Sequence, residues 1–280
     1  MWSFPTLVNS TLKGQAAPPP LFELDTTEAR LEFRRRLAFH PRGLLYATCG
    51  DGVLFEWDLT SEDPAATERH HRLHSNGYSL PDVAVSPDGR LLAVARHGWD
   101  GEPKEGSVQK YNMVLVYDVG EPGDPVPLEA LPADFNIDGR LAFSADSRWL
   151  AANGAGDKGA SVWDLEASDV AASRVTSPVG ARRNVSGLAF SPDLSWLGFS
   201  ASDGRIHLWD WRTSKNPLSI ATGSGKAAVF WSTNTMLAAG GASGAVELWE
   251  TLPEKLQEMA RQSAGRTLTT EEKARFGLTR

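Results

Sequence analysis

Short apolar runs broken by polar turns recur between residues 37 and 250. Five segments share one outline: LAFHPRGLLYAT (37–48), VAVSPDGRLLAV (83–94), LAFSADSRWLAA (141–152), LAFSPDLSWLGF (188–199) and AVFWSTNTMLAA (228–239). Each reads as strand, polar turn, strand. The runs are built of Val, Leu, Ala and Phe with little polar interruption, the pattern of strands covered on both faces. The turns carry their own chemistry. Pro87 presets φ, Asp88 offers a side-chain acceptor, and Gly89 is free to take positive φ. Asn234 plays a similar part in the fifth copy.

A second landmark closes each copy: Phe55-Glu56-Trp57-Asp58, Val116-Tyr117-Asp118, Val162-Trp163-Asp164, Leu208-Trp209-Asp210 and Leu248-Trp249-Glu250. The aromatic positions 57, 117, 163, 209 and 249 are 60, 46, 46 and 40 residues apart. A four-stranded repeat unit takes about 40–45 residues, so three spacings fit and the longest needs an insertion. The interval from the start of the turn to the closing aromatic confirms the register. It is 17 residues from His40 to Trp57, 19 from Ser144 to Trp163, 18 from Ser191 to Trp209 and 18 from Trp231 to Trp249, but 31 from Ser86 to Tyr117. The insertion is placed at 96–111, between strands predicted at 91–95 and 113–117.

The most faithful copy, Ser200-Ala201-Ser202-Asp203-Gly204-Arg205-Ile206-His207-Leu208-Trp209-Asp210, resembles the WD-repeat family, and the resemblance covers residues 21–250. It implies an all-β fold: a β-propeller with five recognisable four-stranded blades. It also implies a hydrogen-bonded set in which a turn Asp, a strand Ser or Thr and the Trp join a His from a Gly-His pair. Asp203, Ser200 or Ser202, and Trp209 match that set, while Asp51 with Trp57 and Asp157 with Trp163 match in part. No copy has the Gly-His pair in place, and Ser243 stands where the fifth Asp belongs. The blades are therefore expected to lean on packing.

Residues 1–20, with Gln15–Pro20 reading QAAPPP, are expected to be linker or disordered. Pro20–Leu24 reads as an outer strand able to complete the fifth blade; similar starts occur at Pro127-Leu128 and Pro217-Leu218. Five blades could close alone or form the C-terminal part of a larger ring. Residues 251–280 read as a helical tail, with Pro253 in a first turn, Leu256, Met259, Ala260 and Ala264 at helical spacing, and a capping box at Thr269–Glu272. The order AGRTLTTEEKARFG is similar to tails that follow WD-repeat regions of bacterial STAND-type ATPase signalling and conflict-system proteins.

Charge and composition narrow the chemistry. The net charge of −7 and pI near 5.4 give no general attraction to phosphate backbones, so no nucleic-acid partner is expected. Arg34–Arg36 reads as a solvated edge. No stretch reaches the roughly 20 apolar residues of a membrane helix, and the N-terminus lacks the basic and apolar regions of a signal peptide. The one cysteine, Cys49, reads as a packed thiol and fits a cytoplasmic location. His70, His71 and His74 read as a solvated loop rather than a metal site. Ala221–Ala227 lacks the first Gly and the Ser/Thr of a phosphate loop. Strand starts that would line a propeller channel look apolar or small. No catalytic, metal or cofactor motif is present.

The reading that follows is a non-catalytic interaction scaffold with a protein partner. Long loops on rigid scaffolds are disproportionately functional, and Trp and Tyr are favoured interface anchors. His97, Trp99 and Tyr111 in the insertion are the candidate partner-binding residues. The alternatives are a ligand-sensing domain of a bacterial signalling or defence effector and a propeller enzyme.

Overall fold

The computed structural model describes residues 36–48, 52–73, 78–98, 112–133, 139–154, 159–178, 185–201, 205–213, 217–221, 228–233, 236–240 and 246–250. These form antiparallel sheets and one 3₁₀ turn, Ala65–Thr67. Sheet one contains β1 (Leu37–Phe39), β2 (Leu44–Thr48), β3 (Val53–Asp58) and β4 (Arg69–Arg72). Sheet two contains β5 (Tyr78–Val85), β6 (Leu91–Gly98), β7 (Met113–Asp118) and β8 (Val126–Pro132). Sheet three contains β9 (Leu141–Phe143), β10 (Trp149–Ala152), β11 (Ser161–Asp164) and β12 (Val175–Thr176). Sheet four contains β13 (Val185–Phe190), β14 (Leu197–Ala201), β15 (Arg205–Trp209) and β16 (Leu218–Ala221). Sheet five contains β17 (Ala228–Thr233), β18 (Met236–Gly240) and β19 (Val246–Glu250). Every sheet is a meander in chain order. The fifth shows three strands among the described residues; Pro20–Leu24 and the expected helical tail lie outside them.

The first strands pack side by side in succession, β1 on β5, β5 on β9, β9 on β13 and β13 on β17. They are thus the inner strands, and each sheet turns its faces toward its neighbours. The pattern of double burial follows. In β6, Leu92 and Val94 join a core with Ala38, Tyr46 and Leu54 of sheet one. The alternate residues Ala93 and Ala95 join Leu150, Ala152 and Trp163 of sheet three. Val162 of β11 then packs from its other face into a third core with Phe190, Phe199, Trp209 and Trp211.

The closing aromatics occupy one position in this scheme. Trp57, Tyr117, Trp163, Trp209 and Trp249 lie on the third strands, paired with Leu45, Leu92, Leu150, Leu197 and Leu237. Tyr117, Trp163 and Trp209 each pack toward the preceding sheet. Trp57 lies in a separate cluster with Leu45, Ala47 and Phe55. At the two ends of the described array apolar residues are exposed. Leu37 and Phe39 are 59% and 70% exposed and Leu248 is 64% exposed, whereas the repeat equivalents Val83, Phe190 and Leu208 are buried.

Two expectations are corrected. β6 runs on to Gly98, so Arg96 and His97 belong to a strand; the insertion starts at residue 99, because pairing of Ser79 with His97 extends the ladder. Arg69–Arg72 is a strand and not a loop, and His71 is buried because alternation turns it inward while His70 faces out. Among the described residues the indole Nε1 atoms of Trp209 and Trp163 have no hydrogen-bond partner; Ser202 and Asp203 of the set that the resemblance implies lie outside them. Asp51, Asp157 and Asp203 lie outside the described residues, as does Cys49.

Packing makes the indole's bulk its main contribution. Trp209→Ala is expected to cost about 3–5 kcal/mol. Gly89 has φ +73°, and an added Cβ would sit 2.9 Å from His40 Cε1, so Gly89→Ala should cost roughly 1–3 kcal/mol. Urea melts measure both; a Trp209→Ala change within about 0.5 kcal/mol of wild type would show that the indole does not wedge the sheets apart.

Candidate functional site

One face of the array is formed by the turns between first and second strands together with the connections that leave the third strands. Its construction repeats. Ser86 Oγ donates to Asp88 Oδ1 (2.5 Å) and accepts from Leu91 N–H (2.8 Å). Ser144 does the same with Asp146 (2.5 Å) and Trp149 N–H (2.8 Å), and Ser191 with Asp193 (2.7 Å) and Trp196 N–H (2.9 Å). The fourth turn residue takes the left-handed conformation in each: Gly43, Gly89, Ser147 and Leu194 at +89°, +73°, +63° and +61°. Glycine takes this freely; Ser147 and Leu194 hold it at a cost of about 1 kcal/mol or more. Burial alone would raise Asp88, but hydrogen bonds from Ser86, Arg90 N–H and Ser147 outweigh it and hold the carboxyl below its ordinary range.

In the first copy His40 replaces the serine. Arg42 N–H donates to His40 Nδ1 (3.0 Å), so Nε2 carries the proton and donates to the Gly89 carbonyl of the next sheet (2.6 Å). Burial and this accepted bond favour the neutral ring, and the His40 pKa is lowered, burial being the main cause. Asp88 N–H in turn donates to Ser147 Oγ of sheet three (3.1 Å). The turns are thereby tied from sheet to sheet along the rim.

The Asp after each aromatic caps the next connection. Asp58, Asp118 and Asp164 accept from Thr60, Gly120 and Glu166 N–H at 2.9, 2.8 and 3.1 Å. Arg148 grips Asp164 with two nitrogens (2.9 and 2.7 Å), and that bond holds the Asp164 carboxyl down.

Between sheets one and two the rim opens into a cleft of about 510 Å³. Tyr46 and Glu56 form part of one wall and Glu121–Gly123 part of the other. Arg42 crosses at the edge, donating to the Val119 and Gly120 carbonyls at 2.6 and 2.7 Å. Glu56 is buried, opposite Tyr46 in the β2–β3 register, and takes a bond from its hydroxyl. Burial, followed by the Glu56 charge, drives the Tyr46 pKa up. His71 Nε2 meets the second Glu56 oxygen at 3.1 Å. Glu68 anchors the Trp57 indole N–H (3.1 Å) and His70 (2.5 Å).

Of the residues that sequence singled out for binding, His97 is the one described. His97 is the penultimate residue of β6, at the end of the sheet away from this rim, and is half-buried. Trp99 and Tyr111 are outside the described residues. Sequence reasoning missed the Tyr46–Glu56–His71 set. The signal was present in alternation, since a Glu between Phe55 and Trp57 and a His beside His70 must face the other side of sheet one. The strand starts also differ from expectation. Asp82 is buried just before the inner run of β5, with Arg36 and Arg140 at the equivalent positions on either side. The channel-side positions therefore include charge, and Asp82 also accepts the Leu141 N–H of sheet three at 2.8 Å.

Residues 173–210 match the family model described as WD domain, G-beta repeat. The matched stretch holds β12, the outer strand of sheet three, and then β13 to β15 of sheet four. This WD-repeat match and the four-stranded antiparallel sheets fit a WD-repeat protein. No curated protein matches the chain. Among the described residues no helix is long and apolar enough to cross a membrane, and no group of three or more metal-binding side chains is found.

Asp82 makes a pH-dependent prediction. Burial raises its pKa to about 6, against about 3.9 when unfolded. Below about pH 4 it is protonated in both states and carries no penalty; as pH rises through about 6 the native state comes to bear the buried charge, and stability falls. Asp82→Asn should therefore be more stable than wild type at pH 8, by on the order of 1–3 kcal/mol, and the gap should close below about pH 4. Thermal melts of both proteins across pH 4–8 check this; a gap independent of pH would show that Asp82 is not desolvated.

Proposed function

We propose that the chain is a non-catalytic interaction platform that binds a protein partner. WD repeats generally mediate protein–protein contact, and the repeat match brings that expectation here. The observation that carries the reading is a single departure from a regular scaffold. β2 to β3 spans Thr48 to Val53, β10 to β11 spans Ala152 to Ser161, β14 to β15 spans Ala201 to Arg205, and β18 to β19 spans Gly240 to Val246, but β6 to β7 spans Gly98 to Met113. The polar side chains of the rim are meanwhile engaged in capping turns and tying sheets. Partner contact is assigned to this longer connection, with His97 at its base and Trp99 and Tyr111 as anchors that gain by desolvation. A cytoplasmic setting belongs to the same reading.

A ligand-sensing role within a larger effector is the second reading, favoured by the cleft of about 510 Å³, a size that suits a small molecule. A ligand of that kind would raise the melting temperature of the isolated chain; a protein partner on the β6–β7 connection would not need the cleft.

Replacing residues 99–110 with a short Gly-Ser turn leaves β6 and β7 whole and should leave the melting temperature within a few degrees of wild type. Affinity capture from the source organism, quantified by mass spectrometry, should lose the proteins that the wild-type chain enriches. Equal enrichment by the folded, trimmed variant would remove the β6–β7 connection as the binding site.

A further inference from the structure

We propose that His71 is a proton-operated clasp that holds the connection after β7 against sheet one and so sets the width of the inter-sheet cleft. His71 is buried on β4, and both its ring nitrogens face carboxylates. Nε2 lies 3.1 Å from Glu56 Oε2, and Nδ1 lies 3.3 Å from Asp124 Oδ1. Glu56 belongs to sheet one and Asp124 to the β7–β8 connection of sheet two. The cleft runs between them, with Glu56 on one wall and Glu121, Pro122 and Gly123 on the other.

Donor counting gives the mechanism. An ionised carboxylate only accepts, and a neutral imidazole has one N–H. The neutral ring can satisfy one carboxylate and must turn a lone pair toward the other. The imidazolium has two N–H groups and satisfies both. Glu56 is the buried partner, already fixed by the Tyr46 hydroxyl and approached by Arg69 at 3.8 Å. Asp124 has a side chain 95% exposed, so water can replace its bond to His71. Loss of the proton therefore releases Asp124 and keeps Glu56. The other charged groups of the neighbourhood are Arg42 and Glu121 on the cleft rim, Glu68 bound to Trp57 and His70, and His70 and Arg72 on the same strand. His40 behaves in the opposite way: its Nδ1 accepts a backbone N–H, so it is satisfied when neutral.

The test is a pH series from about 5 to 8 on the whole chain, reading the imidazole ¹⁵N shifts of His71 and the ¹⁵N–¹H heteronuclear NOEs of Glu121, Gly123 and Asp124. The NOEs should fall from rigid-backbone to flexible-loop values as His71 loses its proton. In Asp124→Ala, which removes the exposed carboxylate altogether, the ring keeps Glu56 while the connection should be mobile at every pH. His71→Gln should abolish the pH step. Loop NOEs that stay constant while His71 titrates would overturn the proposal, as would a step that survives in His71→Gln, which would place the titrating group elsewhere.

Discussion

Each sheet is one layer of side chains away from its neighbours, and it must offer an apolar surface on both faces. This constraint governs the rest of the structure. It explains why Leu92 and Val94 look toward sheet one while Ala93 and Ala95 look toward sheet three. It explains why a small residue on one face can be answered by a Trp from the next sheet. The large aromatics set the distance between layers, and the leucines opposite them on the second strands fix the register. With burial of this area at roughly 25 cal/mol per Å², the indole N–H groups of Trp163 and Trp209 can go without a partner among the described residues and the sheet still holds.

Polar residues solve a different problem. Every meander must reverse direction, and its reversing backbone exposes donors that need acceptors. Serine and aspartate two residues apart supply them at Ser86, Ser144 and Ser191. The same turns meet across sheet boundaries, through His40 to Gly89 and Asp88 to Ser147. Local capping and long-range assembly thus share atoms. A turn that fails to form would loosen two sheets at once.

Sheet one departs from purely apolar packing, and the departure makes the cleft. Glu56 stands where other copies have aliphatic side chains; Val116, Val162 and Leu208 occupy its position. A buried carboxylate needs donors, and it recruits them from β2 and β4. The price of that arrangement is a gap between sheets that apolar residues would have filled.

Sequence alone determined the repeat, because turn chemistry and strand alternation are local properties. Pro87-Asp88-Gly89 announces a reversal, and Phe55-Glu56-Trp57 announces a strand with two different faces. The aromatic spacing located the insertion, though it misjudged the start, since the pairing that extends β6 to Gly98 depends on Ser79, far away in sequence. Asp51, Asp157 and Asp203, and the candidate anchors Trp99 and Tyr111, were legible as positions in a pattern and lie outside the described residues. Which polar groups would meet was decided only by tertiary structure. His71 looks like one of three loop histidines until β4 pairs with β3 and turns it inward. Asp124, 53 residues further on, reaches it only because sheet two stacks on sheet one. Contacts between sheets depend on how the layers stack, and that information is spread over every residue that packs between them.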